Sequence, residues 1–172
     1  MSDKVEKVEK VYQVLFLCTG NSARSIMAEA LMTTMSKGRF QAYSAGSTPT
    51  GKVHPMAIEM VKTTGYPIDH LRSKSWDEFA LPDAPQMDFV ITVCDNAAGE
   101  VCPFWPGQPM SAHWGFEDPA AAVGSEEYKR RVFHVVFHQI RARIALFLSL
   151  PVDTLEKNAI LHELKAIGNS AK

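Results

Sequence analysis

The chain has 172 residues, of which 46% are hydrophobic and 22% charged, and a formal net charge of −1. That is enough for one domain with a real core, and it excludes the basic excess that nucleic acid or an anionic membrane surface would select. The N-terminal M-S-D-K-V-E-K-V-E-K alternates charge and lacks an apolar signal region, and the longest apolar run, residues 144–150, is far too short to span a bilayer. The expectation is a cytoplasmic protein with a single domain over residues 1–172: a core at 11–150 and a C-terminal helical extension at 151–172.

In chain order, residues 1–10 read as a solvated lead-in. Residues 12–17 form a nearly continuous apolar run, as in a strand covered on both faces. Residues 25–36 place Ile26, Met27, Ala30, Leu31 and Met35 at helical spacing, with Gly38 as a stop. A second short strand at 40–45 closes at Gly46. A helix follows at 54–64, with Pro55 in its first turn and Gly65 at its end. Residues 66–85 are rich in loop, apart from a helical turn at 75–79 that Ser75 caps.

Residues 88–93 are a third apolar strand running into Cys94. Residues 95–107 are polar, then rich in Pro and Gly, and read as a mobile loop. A short fourth strand is expected at 110–114. The longest helix, 125–148, is capped by Ser125 and carries an apolar stripe from Val132 to Leu148. A last helix is expected at 153–167, with Asp153 as its cap and Gly168 as its stop. Strands alternating with helices predict a three-layer α/β sandwich around a four-stranded parallel sheet, in which ligands bind beyond the carboxyl ends of the strands. Cys18 and Cys94 both lie at such ends, on one edge of the sheet.

The stretch from Cys18 to Ser25, C-T-G-N-S-A-R-S, carries the chemistry. Thr19, Gly20, Asn21, Ser22, Ala23 and Arg24 connect a strand to a helix, so their backbone N–H groups can curl into an oxyanion cradle at the positive end of that helix. Gly20 lets the backbone turn, Asn21 tolerates left-handed dihedrals, and Arg24 offers a planar fork of donors. The same field favours deprotonation of Cys18, and the Ser25 hydroxyl can donate to the resulting thiolate. Three cysteines make an odd count for a disulfide framework, and their spacing gives no metal-binding pair. From the residues alone the loop serves hydrolysis of a phosphoester and reduction of an oxyanion equally well, and a non-catalytic oxyanion-binding or redox-sensing module is the third reading.

This loop resembles the phosphate-binding loop of the low-molecular-weight protein tyrosine phosphatase family. With Met27-Ala28-Glu29-Ala30 after it, it is most similar to the arsenate reductase branch. The resemblance continues through Ser44-Ala45-Gly46, Val90 to Cys94 and His113-Trp114-Gly115-Phe116-Glu117-Asp118-Pro119-Ala120, and covers most of residues 12–148. It implies a four-stranded parallel sheet flanked by helices, and Asp118 as a general acid. It also implies a thiol relay: Cys18 attacks arsenate, Cys94 attacks Cys18 as arsenite leaves, and Cys102 attacks Cys94. No bound cofactor is implied, only an external thiol reductant, either thioredoxin or glutathione with glutaredoxin. The alternative is phosphomonoester hydrolysis through a Cys18 phosphoenzyme.

Two departures from the family pattern bear on the relay. Seven residues separate Cys94 from Cys102, one more than in the thioredoxin-coupled form, which leaves the reductant open. Ala23 replaces a cysteine that many relatives carry, which leaves Cys94 as the resolving thiol. Some relatives bind potassium beside the loop, and Asn21, Glu29 and Ser44 match part of that site. The acidic residue expected near residues 73–75 is not evident, and the sequence commits to no metal. Trp76, Trp105 and Trp114 read as packing residues, and His113, His134 and His138 as structural or surface residues.

Overall fold

A computed structural model describes residues 10–94 and 108–169. Residues 1–9 of the expected lead-in, the 95–107 loop with Cys102 and Trp105, and residues 170–172 fall outside the described residues. Four strands, β1 (Tyr12–Cys18), β2 (Phe40–Gly46), β3 (Phe89–Thr92) and β4 (Met110–His113), form one parallel sheet in the order β2-β1-β3-β4. Helices α1 (Arg24–Met35), α2 (Pro55–Lys62), α3 (Glu126–Leu148) and α4 (Lys157–Gly168) flank it, with short 3-10 turns at Ile68–His70, Trp76–Phe79 and Pro119–Ala121.

β1 lies between β2 and β3, and this explains its unbroken apolar run. Val14, Phe16 and Cys18 join the larger core with α1, α3 and α4, while Leu15 and Leu17 face the other side, where Trp76, Phe79 and Met87 cover them. Phe147 of α3 meets Phe40 and Phe89 edge-on, each at a centroid distance of 5.2 Å. Ser125 caps α3 by accepting from the Tyr128 N–H at 3.1 Å, and Ser75 accepts from the Asp77 N–H. His54 caps α2 through Nδ1, ahead of Pro55. Among the described residues, no helix is long and apolar enough to cross a membrane.

The last helix starts later than its sequence suggests. Asp153 is not its cap; it accepts a hydrogen bond from the Tyr12 hydroxyl at 2.5 Å, and α4 begins at Lys157 behind Glu156. A long-range partner has taken the capping side chain. The apolar face of α4 then closes on its own sheet, with Ile160, Leu164 and Ile167 in the larger core. Trp114, just past β4, donates its indole N–H to the Leu164 carbonyl at 3.0 Å. Gly168 continues the helix and does not stop it: a Cβ there would stand 2.3 Å from the His113 carbonyl oxygen, so only glycine permits this approach.

The chain runs from β1 outward to β2, then back across to β3. The carboxyl ends of β1 and β3 therefore flank a topological switch point, the crevice where such sheets bind ligands. Cys18 and Cys94 lie at those two ends.

Candidate active site

The loop after β1 is held from outside by its carbonyls. The Thr19 oxygen accepts from the Thr48 N–H at 2.9 Å, and the Ser22 oxygen from the His54 N–H at 2.9 Å. The Gly20 oxygen accepts from the Thr50 N–H at 3.0 Å and from the Ser73 hydroxyl at 3.1 Å. In a trans peptide the carbonyl and the following N–H point in opposite directions. Carbonyls turned outward therefore turn the N–H groups of Gly20, Asn21 and Ala23 inward. Asn21 adopts φ 45, the left-handed region its side chain tolerates. Gly46, opposite Cys18 on β2, has no room for a side chain: a Cβ would lie 2.4 Å from the Thr19 oxygen and 2.9 Å from that of Cys18. The helix begins at Arg24, so its positive end faces the cradle.

Cys18 is buried at the base of this loop, with Sγ 2.8 Å from the Ser25 hydroxyl. The direction of that hydrogen bond follows from the neighbours. The Lys74 N–H donates to Asn21 Oδ1 at 2.9 Å, which orients the amide, and Asn21 Nδ2 then donates to Ser25 Oγ at 2.8 Å. With its oxygen accepting, the Ser25 hydroxyl gives its proton to sulfur.

Burial pushes the Cys18 thiol up from its ordinary range. The Ser25 hydroxyl and backbone N–H pull it down, Cys94 raises it, and Arg24 lowers it. Arg24 is the last of these causes, and its guanidinium is engaged elsewhere. Arg24 Nη1 donates to the Phe116 carbonyl at 3.0 Å, and Nη2 lies 3.6 Å from Asp118 Oδ2.

Cys94 follows β3 and is also buried. Its sulfur accepts from the Thr19 N–H at 3.3 Å and lies 3.6 Å from the Thr19 hydroxyl, so it rests against the residue next to Cys18. Both thiols are free. Asp118 stands on the loop after β4, its Oδ1 capping the Pro119–Ala121 turn through the Ala120 N–H at 3.0 Å. Cys18, Thr19 to Arg24, Ser25, Cys94 and Asp118 thus converge at one sheet edge.

Several residues were not singled out from the sequence. Arg143 of α3 is buried, donates to the Gly115 carbonyl at 2.9 Å, and places its guanidinium 4.3 Å over the Phe116 ring. It holds the segment that presents Asp118. The signal was legible: an arginine sits inside the apolar stripe between Ile140 and Phe147. Ser73 and residues 48–54 left no comparable mark.

Behind the loop, Asn21, Glu29 and Ser44 do come together, joined by Tyr66 and Lys74. Glu29 Oε1 accepts from the Ser44 hydroxyl at 2.7 Å, and Oε2 from the Tyr66 hydroxyl at 2.6 Å. The Lys74 ammonium lies 4.0 Å from Glu29 Oε1 and donates to the Arg72 carbonyl at 2.8 Å. These residues do not fit a potassium ion, because their oxygens are engaged by donors from the chain and an ammonium already faces the carboxylate. Among the described residues, no group of three or more His, Cys, Asp or Glu side chains could hold a metal.

Relatives share this fold and sequence. The family model of the low molecular weight phosphotyrosine protein phosphatases matches residues 13–160. The arsenate reductase of Halalkalibacterium halodurans is 41% identical over 134 residues, covering 78% of this chain and 93% of that protein. A solved arsenate reductase in its phosphate-binding state superposes with a TM-score of 0.65 at 29% identity, covering 81% of this chain and 98% of the other. The thioredoxin-dependent arsenate reductase of Corynebacterium glutamicum superposes with a TM-score of 0.54 at 29% identity, covering 78% of this chain and 58% of the other. A cysteine at the base of an N–H cradle, the strand order around it and the match over residues 13–160 agree: the chain belongs to the low molecular weight phosphotyrosine protein phosphatase family.

Proposed function

We propose that the protein reduces arsenate to arsenite through a thiol relay. The observation that carries this reading is the Cys94 sulfur lodged 3.3 Å from the Thr19 N–H. A second buried thiol beside the nucleophile has a use in reduction and none in hydrolysis. The relatives named above, all arsenate reductases, support the same reading.

The cradle N–H groups and Arg24 bind the oxyanion, and Arg24 exchanges Phe116 and Asp118 for the anion's oxygens. The Cys18 thiolate forms a sulfur–arsenic bond while one arsenic–oxygen bond breaks, the oxygen leaving as water with a proton from Asp118. The Cys94 thiolate then attacks Cys18. A disulfide forms, the sulfur–arsenic bond breaks, and its electron pair stays on arsenic, which leaves as trivalent arsenite. Cys102 attacks Cys94 and releases Cys18 as a thiolate. A dithiol reductant of the thioredoxin type returns the two electrons, as the Corynebacterium neighbour's name supports; glutathione with glutaredoxin is the other source. The relay needs its thiols reduced between turnovers, which suits the cytosol.

The test is incubation of the reduced protein with stoichiometric arsenate and no reductant, followed by disulfide mapping by mass spectrometry. The expected result is one arsenite per chain and a Cys94–Cys102 bond. Three free thiols and no arsenite sink the proposal. The second reading, phosphomonoester hydrolysis through a Cys18 phosphoenzyme, rests on Asp118 beside Arg24. It predicts turnover of an aryl phosphate that survives Cys94→Ser and is lost in Asp118→Asn.

A further inference from the structure

Glu29 carries a carboxylate into the protein interior on α1, at 4% exposure, and the Lys74 ammonium beside it is 8% exposed. Two charges in such a place are sustained only by each other and by hydrogen bonds that satisfy their remaining atoms. Glu29 has Ser44, Tyr66 and Lys74; the Lys74 ammonium has Glu29 and the Arg72 carbonyl. Burial lowers the Lys74 pKa, and Glu29 is foremost among the groups that raise it again; Arg72 lowers it, while Glu78 and Cys18 raise it. The backbone of Lys74 reaches further. Its N–H orients Asn21, Asn21 orients Ser25, and Ser25 donates to Cys18. Its carbonyl accepts from the Gly46 N–H at 2.9 Å, at the same glycine that admits the loop.

We propose that Lys74 is a positioning residue for Cys18. Its ammonium supplies, from within the chain, the monovalent positive charge that fixes Glu29 behind the oxyanion loop, so the loop needs no bound metal ion to hold its shape. The inference rests on the reading of Cys18 as the nucleophile of an oxyanion site. A cavity of about 370 Å³, whose lining includes Glu29, Lys74, Tyr43, Tyr66, Arg72 and Glu78, opens beside the pair and gives an ion a route to it once the ammonium is removed.

The experiment compares the reduced full-length protein in potassium chloride and in choline chloride at equal ionic strength. Two quantities are measured: the midpoint of thermal unfolding and the rate of Cys18 alkylation by iodoacetamide, located by peptide mapping. Neither involves arsenate, so failure here and failure of the reductase reading are separate results. Wild type is expected to give the same values in both salts. Lys74→Asp sets a second carboxylate beside Glu29; potassium should raise its unfolding midpoint by ~5 °C over choline. Potassium should also restore most of a ~tenfold loss in alkylation rate, equivalent to about one pKa unit at the thiol.

A wild type stabilised by potassium as much as the variant overturns the proposal. So does a folded Lys74→Asp indifferent to the cation. If Lys74→Asp does not fold in either salt, Lys74→Met decides: alkylation slowed several-fold in choline supports the positioning role, and an unchanged rate overturns it.

Discussion

The two loops that meet at Arg24 are held in different ways. The Cys18–Arg24 loop is fastened by backbone: three of its carbonyls accept N–H donors from residues 48–54, and Gly46 closes against it with no space to spare. The loop carrying Asp118 has one such bond, from the Phe116 N–H to the Val93 carbonyl at 3.2 Å, and is otherwise held by side chains, with Arg24 on the Phe116 carbonyl and Arg143 on the Gly115 carbonyl and the Phe116 ring. Backbone bonds between ordered segments hold a shape through a reaction cycle. A guanidinium contact is exchangeable, and in the proposed cycle Arg24 is exchanged when an oxyanion arrives. The Cys18–Arg24 loop is thus built as a fixed part, and the Asp118 loop as an arm whose contact with Arg24 is exchangeable.

Four variants test this contrast, from the largest expected effect to the smallest. Gly46→Ala drives a methyl group into the Thr19 carbonyl, an overpacking cost of about 3 kcal/mol. Turnover and Cys18 alkylation should both fall at least ~100-fold, since a displacement of an ångström at the reacting group is enough for that. A normal alkylation rate would show that the cradle is not rigid. Arg143→Leu leaves the Gly115 carbonyl without its donor, at about 2 kcal/mol. Turnover should drop ~tenfold while Cys18 alkylation stays near wild type. Parallel losses in both would erase the distinction between the two loops.

Ser25→Ala removes the hydroxyl that favours the Cys18 thiolate. The thiol, already raised by burial, rises further, so the thiolate fraction at any pH below its pKa falls. Alkylation at pH 8 should slow by ~tenfold, the equivalent of one unit, with the difference closing as pH rises. The smallest effect lies farthest from the site. Asp153 holds the Tyr12 phenol up at about 12. The folded value exceeds the unfolded one, so this contribution to stability is complete below pH 10 and lost as pH rises through 12. Tyr12→Phe should cost about 1 kcal/mol or less and flatten that alkaline loss in denaturant titrations.

The sheet, its strand ends and the loop were legible in the sequence because each is local. An apolar run ends in a cysteine, small polar residues follow, and a helix pattern starts at Arg24. The placement of Cys94 beside Thr19 was legible at the level of topology, since parallel strands put their carboxyl ends on one edge. What was not legible depends on partners far along the chain. Asp153 looks like a helix cap until Tyr12, 141 residues away, takes its carboxylate. Lys74 looks like a surface lysine until Glu29 is seen beneath it. The upward pull of burial on the Cys18 thiol was not legible either, because burial is a property of the assembled core.

Trp114, Gly115 and Phe116 are consecutive, yet each is tied to a different helix: α4 through Leu164, α3 through Arg143 and α1 through Arg24. The three bonds span 50, 28 and 92 residues of chain. Contacts that close long loops are bought late in folding, after local helices and turns have formed. The arm that presents Asp118 therefore reaches its working geometry only when three separate helices have docked. In a refolding experiment, the approach of Asp118 to Arg24 should be among the last contacts to return.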